Sequence, residues 1–382
     1  MMDRMTIRLK KTFDADPSLA VKLGLGTVIL IVLVGYFFNS VILPLNLQAE
    51  IWDPPIPFPI IHPIGTDFRE GYFYPAKVLL QLKSPYIDYN SIYPPFSSVL
   101  FIPFRLVSVQ MAYRIQVFAL YALNLITILL AIRATQKALN SLDDGQKEPG
   151  SLPAYALFLS IGFLTVSSYG FNFSVERGNS DIYAQFFCVL ALLALLRQPG
   201  NVWLETFLVA AATHLKLYPA ILFALIFWKH RWKSLVPILL VNLGLLFITG
   251  PFNALQYIQV MERYIPAPFL WGGNHSAASF ARMVNETLSR TAGFTLPAFL
   301  FTALPLVIWG GGFWLLWRRG FTPLNCALLF ILSVPVMNVL PPTSHDYKLV
   351  ILSTPVVMLL YFLVFNFGKT RRWLDYSLII VV

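Results

Sequence analysis

Apolar runs separated by short polar stretches set the rhythm of the chain. Runs near 23–43, 112–132, 153–171, 181–197, 203–214, 217–228, 234–250, 294–317, 321–339 and 349–368 predict helices. A helix that crosses a bilayer needs about 20 mostly apolar residues. The pair 203–214 and 217–228 is short for two full spans, so a hairpin turning at His214–Tyr218 is expected there. Two stretches, 66–83 and 93–108, are amphipathic and predict helices that lie at a membrane interface or dip into it. Pro94, Pro95 and Pro103 argue against a plain spanning helix in the second. A last apolar run begins near Leu374 and reaches Val382, read as a short last helix or the start of a further one in a truncated chain.

Composition sharpens this picture. Of 382 residues, 57% are hydrophobic and 12% charged, against about 25% charged in an ordinary soluble domain. Such a chain cannot cover a soluble surface with charge. A soluble globular enzyme, a disordered chain and a fibrous repeat are excluded. The expectation is one all-α, polytopic membrane domain over 1–382, with about 10–11 transmembrane helices. Cys188 and Cys326 both sit in apolar stretches, with neither disulfide nor metal-ligand spacing.

The net charge of +10 orients the helices rather than indicating nucleic acid. Basic residues cluster at the ends of apolar runs, the pattern of cytoplasmic loops. The clusters are Arg4, Arg8, Lys10, Lys11 and Lys22; then Arg133, Lys137 and Lys147; then Lys229, Arg231 and Lys233; then Arg318 and Arg319; then Lys369, Arg371 and Arg372. Placing all of them inside makes 1–22 a cytoplasmic N-terminus before an uncleaved helix. It leaves 44–111, 172–180, 251–293 and 340–348 on the outer side, the first being a long loop that carries the interfacial helices.

Five polar clusters fall on that outer side. Asp67, in Gly65-Thr66-Asp67-Phe68-Arg69-Glu70 before Tyr72, Phe73 and Tyr74, is either a helix cap or a general base. Arg177, in Ser174-Val175-Glu176-Arg177-Gly178-Asn179-Ser180-Asp181, pairs with Glu176 or Asp181 or serves a site, and Asn179 or Asp181 caps the next helix. Lys216, in His214-Leu215-Lys216-Leu217-Tyr218-Pro219, either snorkels to an interface or holds an anion in a polar cavity. Asn274 and His275 precede Ser279 and Arg282, and on a helix His275, Ser279 and Arg282 would share a face. His345 and Lys348 lie in Pro341-Pro342-Thr343-Ser344-His345-Asp346-Tyr347-Lys348, a polar cluster opening another helix, which is either a simple cap with interfacial anchors or a place where both residues reach a phosphate. P-loop, HExxH, GxSxG and GxGxxG patterns do not occur. Cations to hold a leaving phosphate and a carboxylate to take a proton suit transfer from a phosphorylated lipid to a hydroxyl.

These segments, in this order, resemble the GT-C membrane glycosyltransferases and specifically glycosyltransferase family 87, which includes polyprenyl-phosphate-mannose-dependent α-mannosyltransferases. The resemblance rests on Asp67-Phe68, Ser84-Pro85-Tyr86, Tyr93-Pro94-Pro95, Glu176-Arg177-Gly178-Asn179, Leu215-Lys216-Leu217-Tyr218-Pro219, Asn274-His275-Ser276 with Arg282, and Pro342-Thr343-Ser344-His345. Asn179 stands where many members carry Gln, and no Trp separates Ser344 from His345. The resemblance implies Asp67 as general base and Lys216, Arg282 and His345 as holders of the donor's lipid phosphate. Arg177 and Asn179 would shape the same cavity, with Lys348, His275, Asn274 and Tyr72 as further substrate contacts. It implies a GT-C-like fold in a bacterial plasma membrane and single-displacement, inverting chemistry on the extracytoplasmic face. The donor would be a polyprenyl-phosphate sugar (mannose or another hexose or pentose), and the acceptor a hydroxyl of a lipid-linked or cell-envelope glycan. Partners would include membrane lipids but not nucleic acid. No carboxylate set for a metal is evident, so metal-independent catalysis without a cofactor is favoured.

Rival readings are a transporter or flippase, a lipid-linked glycan ligase and a non-catalytic binder. A transporter would favour repeated halves around a midplane site, and the chain has no internal repeat.

Overall fold

The computed structural model describes residues 65–89, 91–141, 151–264 and 274–366. The helix expected near 23–43, the basic segment 1–22, residues 44–64 and the run from Leu374 lie outside the described residues. Every regular element among the described residues is helical, apart from one antiparallel bridge joining Asn274 to His345.

Helix Val109–Asn140 is the central post. Its N-terminus is capped by Ser108, whose Oγ accepts from the Met111 amide at 3.3 Å. At 32 residues it is about 48 Å long, longer than the expected run 112–132. The extension has a simple cause: residues 133–140 are mostly strong helix formers, and Ala134, Thr135 and Ala138 are buried there. Helices Asp181–Leu195, Pro323–Val339, Ser353–Asn366 and Ser151–Val166 pack around it. Helices Asp181–Leu195 and Val202–Thr213 pack closely, and both place alanines at buried positions, among them Ala184, Ala191, Ala210 and Ala211. Small side chains let helix backbones approach, which matters where lipid competes with Leu for apolar contact.

Val109–Asn140 and Phe299–Arg319 are each long and apolar enough to cross a membrane. Two bent pairs, Phe158–Val166 with Tyr169–Arg177 at 57° and Tyr218–Leu246 with Pro251–Arg263 at 95°, raise the number to four if each is one span. The helices are compatible with an integral membrane protein. The expected runs are thus more broken than their apolarity suggests. The run 153–171 breaks at Ser167-Ser168 because the Ser168 Oγ accepts from the Phe171 amide at 3.3 Å and starts a new helix. The expected hairpin turn is present: helix Val202–Thr213 ends at His214, and a 3-10 turn Tyr218–Leu222 leads into Phe223–His230. The last run opens as a 3-10 turn, Asp346–Leu352, before helix Ser353–Asn366.

The stretch 66–83 is helical, with a wide turn at Arg69–Phe73 between Thr66–Phe68 and Tyr74–Leu80. Phe68, Tyr72 and Phe73 are buried with Phe101 and Ala112 in a compact aromatic cluster. In the stretch 93–108 the prolines sit in the first turns of Pro95–Leu100 and Ile102–Leu106, where a missing N–H costs nothing.

Candidate functional site

The site begins at two left-handed glycines. Helix Tyr169–Arg177 ends at Gly178, φ 66°. The Gly178 amide donates to Val175 O and the Asn179 amide to Ser174 O, both at 3.0 Å. This paired closure reverses the chain at a residue without a Cβ penalty. Any Cβ at Gly178 would lie 2.6 Å from that of Phe68, so the two segments are in contact. The central helix fixes the turn: Tyr113 OH donates to Val175 O at 2.8 Å and Gln116 Nε2 to Gly178 O at 3.2 Å. Gly65, φ 67°, docks the other strand of the site by donating its amide to Glu176 O at 2.7 Å.

These turns bring Asp67 against Arg177 and Asn179. Arg177 Nε donates to Asp67 Oδ1 at 3.0 Å, a second guanidinium nitrogen pairs with the same oxygen, and Asn179 Nδ2 donates to Oδ2 at 2.7 Å. The alternative of Asp67 as a helix cap is corrected: the cap position is Gly65, and both carboxylate oxygens are taken by side chains. Arg177 pairs with neither Glu176 nor Asp181, because the glycine turn aims it at Asp67.

Lys216 does not snorkel. It is buried, with Nζ 3.5 Å from Asp181 Oδ2 and over the rings of Tyr93 (4.7 Å) and Tyr347 (5.7 Å). Asp181 is fully buried and accepts from Tyr218 OH at 2.6 Å. Lys348 Nζ donates to Thr343 O at 2.6 Å and lies over the Tyr218 ring at 5.1 Å. Asp67 is close enough for its charge to act on Lys216 and His345. Tyr72, expected to contact substrate, is fully buried: its hydroxyl bonds Ser180 Oγ at 2.6 Å, and its ring stacks on Phe101 and lies tilted against Tyr93.

Burial sets the charge of His345 and Lys348. It pushes the His345 imidazole down to about 4; Asp67 opposes this, while Lys348, Arg177 and Lys216 add to it. His345 is therefore neutral at neutral pH and offers a hydrogen bond. Burial likewise pushes Lys348 down to about 8, with Asp181 opposing and Lys216 adding.

Asn274 and His275 act on the loop that carries His345. Asn274 Oδ1 accepts from the Ser344 and Ser276 amides at 2.8 and 3.0 Å, its Nδ2 donates to Pro342 O at 3.1 Å, and the His275 amide donates to Ser344 O at 2.7 Å. The His275 ring pairs with Asp346, which also accepts from Tyr169 OH at 2.9 Å. The shared face of His275, Ser279 and Arg282 is not formed. Ser276 caps helix Ala277–Ala292, its Oγ accepting from the Ser279 amide at 3.1 Å, so His275 stands before the helix. Arg282 is 59% exposed and pairs with Glu286 one turn on, so it is not drawn to Lys216 and His345. Beside this loop a cavity of about 390 Å³ is lined by Asn274, His275 and Ser276 together with Phe280, Met283 and Phe301, among others.

Sequence reasoning missed Asp181, Tyr93, Tyr218 and Tyr347 as parts of the site. Among the described residues, no group of three or more His, Cys, Asp or Glu is arranged to hold a metal.

The model of glycosyltransferase family 87 matches residues 92–341, more than half of the chain. The match includes Arg177, Asn179, Lys216, Asn274, His275 and Arg282, begins after Asp67 and ends before His345 and Lys348. No match is found among the curated proteins or among the solved structures. The chain belongs to glycosyltransferase family 87 and is a glycosyltransferase.

Proposed function

We propose that this family 87 glycosyltransferase moves a sugar from a polyprenyl-phosphate carrier to a hydroxyl of a lipid-linked or envelope glycan, with inversion. One observation carries the reading. A carboxylate aimed by two donors, Asp67, shares a buried cluster with Lys216 and Lys348, and its charge acts on Lys216 and His345. The acceptor oxygen attacks the anomeric carbon, and the bond from that carbon to the phosphate oxygen breaks. Asp67 takes the acceptor's proton. Polyprenyl phosphate leaves with the bonding electron pair, its charge met by Lys216 and Lys348 and by an N–H of neutral His345. Preorganised charge of this kind stabilises the transition state without reorganisation.

A multi-pass protein with this site on the extracytoplasmic face fits the charge pattern. Asp181 opens one helix of a packed pair and Lys216 follows the other, while Lys229 and His230 lie at the pair's opposite end. Positive residues favour the cytoplasm.

The test is transfer of labelled sugar from a panel of polyprenyl-phosphate sugars in proteoliposomes, wild type beside Asp67→Asn. Transfer by wild type and its loss in a variant that still binds donor is the expected result. Equal turnover by both would remove Asp67 from the chemistry. The scheme requires no divalent ion, so activity should survive a chelator; loss with recovery on Mn²⁺ would contradict it.

A further inference from the structure

Asp181 is the one carboxylate of the cluster with no assigned task. It is fully buried at the start of helix Asp181–Leu195, yet it caps nothing: the cap residue is Ser180, which makes no side-chain bond to the helix. Its two oxygens point to other elements. Oδ1 accepts from Tyr218 OH at 2.6 Å, while Oδ2 has no hydrogen-bond partner and lies 3.5 Å from Lys216 Nζ. Lys348 stands over the ring of that same Tyr218. One carboxylate thus touches, directly or through one phenol, both lysines of the cluster.

The looseness of the Lys216 pair matters. A buried structural ion pair is expected to close to hydrogen-bond distance, because only then does attraction offset desolvation. A 3.5 Å pair with an unbonded oxygen keeps the ammonium charged and aimed while leaving its N–H donors for a second anion.

We propose that Asp181 is the positioning residue of the donor-phosphate pocket, holding Lys216 directly and Tyr218 and Lys348 in series so that both ammonium groups face the lipid phosphate. The proposal rests on the polyprenyl-phosphate reading above. The groups facing the two lysines are Asp181, Asp67, Tyr93, Tyr218, Tyr347 and His345, besides each other. Asp181 is the carboxylate that acts on both.

The experiment is binding of a short-chain polyprenyl phosphate, without sugar, to the full chain in detergent between pH 6 and 9. Lysine is charged below its pKa, so wild-type affinity should fall as pH rises through about 8. Asp181→Asn removes the charge that favours the ammonium form, so that limb should move to lower pH by about one unit or more. At pH 8 affinity should drop about tenfold, and at pH 6 it should stay within about threefold of wild type. Asp181→Glu should restore the limb, and Tyr218→Phe should shift it part of the way. An unshifted limb in Asp181→Asn, or a parallel loss at every pH, overturns the proposal. If Asp181→Asn does not fold, a wild-type limb in Tyr218→Phe overturns it. Wild type that binds no polyprenyl phosphate at any pH sinks the donor reading itself, and the proposal falls with it.

Discussion

Two buried clusters of charge sit at opposite ends of the same helix pair, Asp181–Leu195 and Val202–Thr213, about 20 Å apart along the helix. At one end Glu205 is fully buried and both its oxygens are occupied, by Lys229 Nζ at 2.7 Å and His230 Nε2 at 2.6 Å. Lys229 also donates to Leu195 O at 2.7 Å and Arg197 O at 3.1 Å. That cluster is closed. At the other end Asp181 keeps an unbonded oxygen, and the lysines face tyrosine rings and one carbonyl. That cluster is open. Equal burial therefore has two outcomes for these two carboxylates: Glu205, with both oxygens bonded, is a staple, whereas Asp181 keeps an oxygen with no hydrogen-bond partner.

The contrast can be broken by substitution. The largest effect should be on stability at the closed end. Glu205→Ala leaves Lys229 buried without a counter-charge and the His230 ring without its hydrogen-bond partner, which costs about 3–5 kcal/mol. A thermal melt in detergent should show it, while the protein that remains folded transfers sugar at nearly the wild-type rate. At the open end the sign reverses. Asp67→Asn should slow turnover by about 100-fold or more, with a smaller loss of stability than Glu205→Ala because Asn keeps the shape and part of the hydrogen bonding. A large drop in melting temperature with unchanged turnover would reduce Asp67 to a second staple.

Next comes the pH profile of kcat/KM, whose alkaline limb should report Lys348 near 8. Arginine stays protonated across this range, so Lys348→Arg should remove the limb while changing the rate at pH 7 by about tenfold or less. His345 titrates near 4, so an acid limb between pH 5 and 7 would show that another group controls the reaction. The smallest effect is at Arg282, whose exposed pairing with Glu286 at i+4 is worth about 0.3–0.5 kcal/mol. Arg282→Ala should leave donor KM within about twofold.

The features legible in the sequence are the local ones. The apolar runs announced the helices, and the prolines at 94, 95 and 103 announced where a long one could not form. The break at Ser167-Ser168 was hidden because two serines hardly dent the hydropathy of their surroundings, although Ser168 caps helix Tyr169–Arg177. The site residues Asp67, Arg177, Asn179 and Lys216 stood out as polar groups in apolar company. Their pairing did not, since it joins residues 110 and 112 positions apart. Asp181 was misread for a local reason: an aspartate opening a helix resembles a cap, and only the third dimension turns it towards Lys216. The pairing of Arg282 with Glu286 was legible from their spacing of four residues.

The distance along the chain between Asp67 and Arg177 also bears on how the protein is made. They are 110 residues apart, and translation proceeds at about 5–20 residues per second. The carboxylate therefore leaves the ribosome about 5–20 s before the guanidinium that will hold it. Through that interval the aromatic segment around Phe68 and Tyr72 lacks the helix end on which it docks. Docking of this segment waits until helix Tyr169–Arg177 has been made. The order of synthesis thus makes Asp67 the waiting partner and Arg177 the one that completes the pair.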